Sequence, residues 1–184
     1  GEETVDIRRV DVVGAAVSQD LKQKGFLSLF YAGIGLLIYI WWRFKISYSV
    51  AAILALTHDV IITVGMFSIT GREISLPVIA AFLTVIGYSL NDTIIIFDRI
   101  RENIKKATGP FDYPSLLDSS ISQTLSRTLI TSSTTLFVVL ALFLFGGSVI
   151  NNFAFAIMVG LIVGTYSSIF IASPILLLFS RMKK

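Results

Sequence analysis

The chain has 184 residues, of which 54% are hydrophobic and only 15% charged, and its mean hydropathy is +0.81. Soluble domains carry about 25% charged residues, so this composition excludes an ordinary water-soluble fold and predicts a protein of the lipid bilayer. The absence of cysteine excludes disulfides and thiolate metal sites. The net charge is +3, but the charged residues lie between apolar segments, which argues against a nucleic-acid partner.

The first 24 residues are the polar part of the chain. A partly alternating segment at residues 4–13 predicts a β-strand, and a short polar helix is expected to follow it. One strand cannot fold alone, so we interpret residues 1–24 as a short remnant of an external domain.

Five apolar segments come next, each with about the 20 residues that a membrane-spanning helix needs. Because the fifth is longer than a bilayer requires, we expect it to tilt or to kink at Pro174. Residues 25–184 are therefore predicted to form one all-α transmembrane domain, with spans at residues 25–42, 48–69, 75–97, 128–145 and 151–179.

The long loop at residues 98–127 has internal structure of its own. Charged residues extend the third helix beyond the membrane, and Thr108-Gly109-Pro110 breaks it. Pro114 then begins an amphipathic helix, which we expect to lie on the membrane surface before the chain enters the fourth span.

The basic residues between the spans predict the orientation. Ten Lys and Arg residues fall in segments 43–47, 98–127 and 180–184, which share one side of the membrane, whereas Arg72 is the basic residue of the opposite connections. By the positive-inside rule, the first side is cytoplasmic, the N-terminus external and the C-terminus cytoplasmic. The four basic residues within residues 1–24 run against this rule, but they are mixed with acids.

An acid within the third span is the leading candidate for function, because a charge at the bilayer centre costs about 2.5–3.5 kcal/mol. Burial favours the neutral acid and a nearby cation favours the carboxylate, so we interpret Asp92 as a proton-binding group. Arg127, at the cytoplasmic entrance of the fourth span, is its candidate cation. The alternative is an Asp92 that stays protonated and only hydrogen-bonds a neighbouring helix. The predicted polar pocket around Asp92 contains Tyr88, Ser89, Asn91 and Thr93.

Three further patterns each allow two interpretations. His58 and Asp59, in the middle of the second span, either support the polar pocket or form a static contact between helices. The hydroxyl-rich run at residues 131–135 either lines a polar path or bonds to its own helix backbone. Small residues at every fourth position of the fifth span favour tight helix packing, or else a sliding surface; they are Ala156, Gly160, Gly164, Ser168 and Ala172. The sequence has no pattern typical of a metal site or of a nucleophile with its base, so we do not expect an enzyme.

Several of these segments together resemble the SecF family of protein-export membrane subunits. The resemblance runs through almost all of residues 10–184, in the order and spacing of that family. The segments that carry it are Gly87-Tyr88-Ser89-Leu90-Asn91-Asp92-Thr93, Phe97-Asp98-Arg99-Ile100-Arg101-Glu102-Asn103, His58-Asp59, Gln123-Thr124-Leu125-Ser126-Arg127-Thr128, Phe145-Gly146-Gly147 and Gly164-Thr165-Tyr166-Ser167-Ser168.

The resemblance implies a role that composition and spacing do not. It implies a subunit of the bacterial cytoplasmic (inner) membrane that pairs with SecD and, with the SecYEG translocon, uses the proton gradient to move preproteins outward. It also implies a six-helix domain like that of the resistance-nodulation-division transporters, of which this chain would hold helices two to six and lack most of the external domain. The proton-relay acid of the family falls on Asp92 and its essential arginine on Arg127.

The sequence is therefore compatible with three functions. The first is a proton-driven subunit for preprotein translocation, with H⁺ as the coupling ion and no other cofactor. The second is a proton-coupled exporter of a small molecule or lipid, because the relay chemistry would be the same. The third is an assembly subunit that conducts nothing.

Overall fold

The computed structural model describes residues 15–181, and within them the chain is almost entirely helical. No strand occurs in that part of the chain, which confirms the predicted all-α class. The predicted strand at residues 4–13 lies outside the described residues. In chain order the elements are α1 (Ala15–Arg43), α2 (Ile46–Ile69), α3 (Leu76–Lys106), α4 (Tyr113–Phe145), α5 (Gly147–Ser167), a π-helical segment (Ser168–Ala172) and α6 (Ser173–Arg181).

Five helical stretches of the described chain are long and apolar enough to cross a membrane, which confirms the prediction of five spanning helices. The fifth combines α5, the π-helical segment and α6. Large apolar side chains such as Trp42 and Phe137 point outward, as the lipid-facing surface of a membrane bundle requires. The stretches are Gln23–Arg43, Ile46–Ile69, Leu76–Lys106, Tyr113–Phe145 and Gly147–Ser180.

Two helices extend further than the sequence predicts. No break separates a polar helix from the first span, because α1 begins at Ala15 and continues to Arg43. The amphipathic helix of the 98–127 loop is likewise not a separate surface helix, since α4 runs unbroken from Tyr113 to Phe145. The physical reason is packing: Leu117 is buried in the same apolar cluster as Ile100 of α3, so this segment stands against α3 and does not lie flat on a membrane.

At one end of the bundle, α1 and α3 end and α4 begins. Polar contacts join the helices at this end, which we call the charged end. Arg43 Nη2 lies 3.1 Å from Asp98 Oδ2, and Arg101 Nη1 lies 3.3 Å from Asp98 Oδ1. Asn103 Nδ2 donates to Ser120 Oγ at 2.8 Å, which joins α3 to α4. Exposed ion pairs stabilise by at most about 1 kcal/mol each, so these contacts fix the relative position of the helices more than they add stability.

Arg72 joins the helices at the opposite end of the bundle. Its Nη1 donates to Asn151 Oδ1 at 2.6 Å and to Asn152 Oδ1 at 2.7 Å, while its guanidinium lies 4.2 Å from the centre of the Phe155 ring. Asn151 Nδ2 in turn donates to the Phe143 carbonyl at 2.9 Å. Arg72 therefore holds the α2–α3 connection against α4 and α5.

Helix α5 lies directly against α3 because of its small residues. All five members of the small-residue stripe are buried. A Cβ built on Gly160 would overlap the side chain of Val85, and one built on Gly164 would lie 3.0 Å from Ser89 Cβ. The backbone of α5 thus approaches α3 more closely than any larger residue would allow, as in other membrane helix pairs with small interfacial residues.

The π-helical segment lies immediately before Pro174, where the sequence predicts a kink. Proline has no N–H to donate, so the backbone hydrogen bonding of the preceding turn must change. The wider π turn accommodates this. Ser173 Oγ donates to the Ser168 carbonyl at 3.2 Å, across the same turn. The helical irregularity therefore extends over five residues and begins at the end of the small-residue stripe.

The contact between α3 and α5 gives a first prediction. Gly160→Ala should lower the stability of the folded bundle by about 1–3 kcal/mol, because the new methyl group overpacks against Val85. The added Val85→Ala substitution should restore stability, since it removes the overlapping methyl groups. The measurement is the heating midpoint at which folded protein is lost in detergent micelles.

The matched control is Gly65→Ala in α2, where a new Cβ meets nothing within 4 Å. Alanine is the better helix former by about 0.5–1 kcal/mol, so this variant should be at least as stable as the parent. Equal midpoints for Gly160→Ala and Gly65→Ala would contradict the close approach.

Candidate functional site

Among the residues that the structure describes, two carboxyl groups are buried inside the bundle, and their surroundings differ. Asp59 of α2 is 1% exposed and Asp92 of α3 is 3% exposed. Both lie in helical stretches long enough to cross a membrane. A buried carboxyl needs hydrogen-bond partners, a counter-charge or a proton. The partners of each carboxyl therefore indicate what it can do.

Asp59 joins three helices through hydroxyl groups. The Oγ atoms of Ser89 in α3 and Ser167 in α5 both donate to Asp59 Oδ2, the latter at 2.8 Å. The other oxygen, Oδ1, lies 3.1 Å from Nδ1 of the half-buried His58. Three polar groups thus surround this carboxyl, which makes it the centre of a polar contact between α2, α3 and α5.

Asp92 faces a different pair of helices and has fewer partners. Ser132 Oγ of α4 lies 3.4 Å from Asp92 Oδ2, near the limit of a hydrogen bond. The same hydroxyl lies 2.8 Å from Thr165 Oγ1 of α5, and Thr165 donates to the Leu161 carbonyl at 2.8 Å. Among the described residues, no cation pairs with Asp92. The Asp92 carboxyl is therefore buried, but it makes only one long hydrogen bond to a described residue.

The side chains of the predicted polar pocket point in several different directions. Ser89 faces Asp59 and not Asp92, while the Tyr88 hydroxyl lies 3.4 Å from Thr135 Oγ1 of α4. Thr93 is buried, but Asn91 is exposed. Successive helix residues point about 100° apart, so a run of polar neighbours cannot share one site.

Arg127 does not contact Asp92 in this arrangement. It is exposed, and it lines a hollow between α3 and α4 near the charged end, beside Asp98 and Glu102. Each of these acids already pairs with other basic residues. Because Arg127 and Ser132 are five positions apart, their side chains point roughly 140° apart around α4. While Ser132 faces Asp92, Arg127 must face elsewhere.

Sequence reasoning missed Ser132, Thr165 and Ser167 as members of these clusters. The signal for Ser132 was its position in the hydroxyl-rich run at residues 131–135, of which Thr131, Thr134 and Thr135 hydrogen-bond to carbonyls of their own helix. Ser132 instead reaches across to α3 and α5. Bonding to the helix backbone is therefore confirmed for these three threonines, whereas the polar path stays a prediction.

Comparison with known proteins identifies the family that has these helices. The family model described as "Protein export membrane protein SecD/SecF, C-terminal" matches residues 1–182. The protein translocase subunit SecF of Desulfurispirillum indicum is 54% identical over 175 residues, which are 94% of this chain and 55% of that protein. The SecF subunit of Calditerrivibrio nitroreducens is 52% identical over 179 residues, covering 97% of this chain and 59% of the relative. The chain thus spans little more than half the length of these curated relatives.

A solved structure shows the same arrangement of helices. The crystal structure of SecDF from Thermus thermophilus, described as a translocon-associated membrane protein, superposes with a TM-score of 0.85 at 48% identity. The match covers 92% of this chain and 23% of the SecDF chain. The protein translocase subunit SecDF of Brucella abortus is 48% identical, with 97% of this chain and 23% of that protein covered. The bundle is therefore similar to one part of a larger membrane protein.

The Asp59 cluster gives a second prediction. Asp59→Ala should lower the stability of the bundle by about 1–3 kcal/mol, because the buried Ser89 and Ser167 hydroxyls lose the acceptor that they share. Asp118→Ala, which removes an exposed carboxyl of α4, serves as the control and should leave stability unchanged. Heating midpoints in detergent micelles measure both. If the two variants melt together, Asp59 is not a structural contact.

Proposed function

This chain belongs to the SecD/SecF family of protein export membrane proteins, and from that premise we propose that it forms the proton-relay part of a subunit that assists preprotein translocation. The protein acts in the bacterial cytoplasmic membrane. Its partners are a SecD subunit, the SecYEG translocon and the moving preprotein. The fusion of SecD and SecF in relatives named SecDF supports the first of these partners.

The contrast between the two buried carboxyls carries the proposal. Three polar groups surround Asp59, whereas Asp92 has one distant hydroxyl and no cation among the described residues. Leaving an ionised carboxylate so poorly compensated in a low-dielectric interior costs much more than protonating it. Asp92 is thus the buried carboxyl suited to binding and releasing a proton, while Asp59 is suited to a structural role.

Arg127 supplies the opposite charge in another step of the cycle. A cation brought near Asp92 favours the carboxylate and so releases the proton, and its withdrawal favours protonation again. Its exposed position, without a hydrogen bond or ion pair to a described residue, leaves its side chain available for this movement. One charge that crosses 100 mV releases about 2.3 kcal/mol, which the movement can use.

The distribution of basic residues predicts which end of the bundle faces the cytoplasm. The charged end of the bundle, which contains Arg43, Arg99 and Arg101, faces the cytoplasm by the positive-inside rule. The C-terminus then lies in the cytoplasm and the N-terminal side of α1 outside. Protons that enter from outside must therefore pass Asp92 before they reach the charged end.

The relay gives a third prediction. In the full-length subunit, Asp92→Asn and Arg127→Met should each reduce proton-dependent preprotein export to the level seen without the subunit. The first removes the proton-binding group and the second removes the cation that displaces the proton. Export into inverted membrane vesicles is the measurement, with immunoblotting to show that each variant inserts.

Matched substitutions separate the relay from general loss of charge. Glu73→Gln removes an exposed acidic side chain at the opposite end, and Lys105→Met removes an exposed basic side chain at the charged end. Both should export like the parent. Parental export by Asp92→Asn and Arg127→Met would reject the relay. Normal preprotein export with loss of a small-molecule or lipid efflux activity would favour an exporter.

The identity of the ion gives a fourth prediction. A carboxyl with one hydroxyl neighbour has too few oxygen ligands to enclose Na⁺, so we expect coupling to H⁺. Export should therefore fall when an ionophore collapses the pH gradient and should persist when the sodium gradient alone is abolished. Dependence on sodium at constant pH gradient would show that Asp92 takes part in a cation site.

A further inference from the structure

The hydroxyl group of Ser132 lies between two acceptors that it cannot serve at once. Its Oγ is 3.4 Å from Asp92 Oδ2 and 2.8 Å from Thr165 Oγ1. Thr165 donates its own proton to the Leu161 carbonyl at 2.8 Å, and in that arrangement it accepts from Ser132. Ser132 has a single proton to donate, and it goes either to Thr165 in α5 or to Asp92 in α3.

The protonation state of Asp92 decides between the two. When Asp92 is neutral, its O–H can donate to Ser132 Oγ, Ser132 donates to Thr165, and Thr165 donates to Leu161, so every donor in the row has an acceptor. When Asp92 is ionised it has no proton to give, and a charged acceptor forms the stronger hydrogen bond. Ser132 then turns its proton toward Asp92. Thr165 keeps a bond to Ser132 in that state only by turning its own proton away from the Leu161 carbonyl, so the contact between α4 and α5 is weakened.

We propose that Ser132 is a positioning residue that converts the charge of Asp92 into a choice of the helix to which α4 donates a hydrogen bond. Ser132 donates to Thr165 of α5 when the acid is neutral, and to Asp92 of α3 when it is ionised. This inference rests on the proposed function, because it requires Asp92 to gain and lose a proton. It adds the step by which that proton alters the packing of the helices.

The space beside this contact allows α4 to move. A groove of about 850 Å³ lies between α4 and the fifth span, and Thr165 is among the residues that line it. Leu129 of α4 and Ile162 of α5 also line this groove and are 48% and 56% exposed. The two helices therefore diverge along this groove, and a shift of α4 changes its width.

Other ionisable groups of the helices around Asp92 are engaged or face elsewhere. The His58–Asp59 pair of α2 contacts α3 through Ser89, one turn from Asp92, and is the nearest alternative source of pH dependence. Arg43 of α1 pairs with Asp98 at the charged end. Arg99, Arg101, Glu102, Lys105 and Lys106 of α3 lie at the charged end. The others with described side chains are Lys24, Tyr31 and Tyr39 of α1, Tyr48 near the start of α2, Tyr88, whose hydroxyl contacts Thr135, Tyr113 near the start of α4, the exposed Asp118 and Arg127, and Tyr166, which stacks on Phe170.

The test measures the distance between α4 and α5 as pH changes. Spin labels attached after Leu129→Cys and Ile162→Cys report this distance in a cysteine-free, full-length subunit held with its SecD partner in liposomes. With Ser132 and Thr165 intact, the distance distribution should differ between acid and alkaline pH. Asp92→Asn, which keeps the side chain neutral, should hold the acid-pH distribution at every pH.

Removing either hydroxyl should abolish the response. Ser132→Ala and Thr165→Val should each lose the pH-dependent change in distance, while Thr165→Ser, which keeps the hydroxyl, should retain it. The controls are Ser133→Ala, which changes the exposed neighbouring hydroxyl, and Thr134→Val, whose hydroxyl bonds its own helix. Both should respond like the parent.

The outcomes separate this inference from the proposed function. A pH response that persists in Ser132→Ala, or that depends on His58 and not on Asp92, overturns the inference, and so does the absence of any response in the parent. Export by Asp92→Asn is scored independently. If that variant does not export while Ser132→Ala exports with the pH profile of Ser133→Ala, the relay stands and the role of Ser132 is rejected.

Discussion

The close contact between α3 and α5 decides which polar groups of the bundle can meet. Gly160 presents no side chain to Val85, and Gly164 similarly allows Ser89 to lie against the α5 backbone. Once the helices are this close, the hydroxyls of Ser89 and Ser167 both reach Asp59. In a bilayer no water is available to satisfy buried polar groups, so these groups must find partners within the protein. The small residues of α5 make that possible.

The same contact gives the two buried carboxyls different surroundings. Asp59 lies where three helices meet and accepts hydrogen bonds from two of them, so its charge or dipole is compensated in a fixed geometry. Asp92 is on the side of α3 that faces α4, where Ser132 is its partner at a longer distance. A compensated carboxyl is suited to hold helices together, and an uncompensated one to exchange a proton. In the function that we propose, Asp59 is therefore the structural acid and Asp92 the proton-binding one, although Ser89, the α3 partner of Asp59, lies only one helix turn from Asp92.

Much of the fold follows from the sequence because a bilayer leaves few alternatives. Apolar stretches of about 20 residues must be helices when no water can satisfy their backbone groups. The spans, the all-α class and the burial of Asp92 could therefore be predicted. The extent of α4 could not, because the segment that begins at Pro114 is amphipathic and its apolar side chains could cover either a membrane surface or another helix. The packing of Leu117 against α3 selects the second.

The sequence by itself determined that Asp92 is an acid in an apolar helix with polar neighbours, and that residues 131–135 carry hydroxyls. It could not determine which of them face each other, because residues adjacent in a helix point about 100° apart and their partners come from other helices. Only the tertiary structure assigned Ser89 to Asp59, directed Arg127 away from Asp92 and placed Ser132 between Asp92 and Thr165. The reason is that helix rotation and separation are set by side-chain packing across the interface, above all by the glycines of α5 against α3, and not by local sequence.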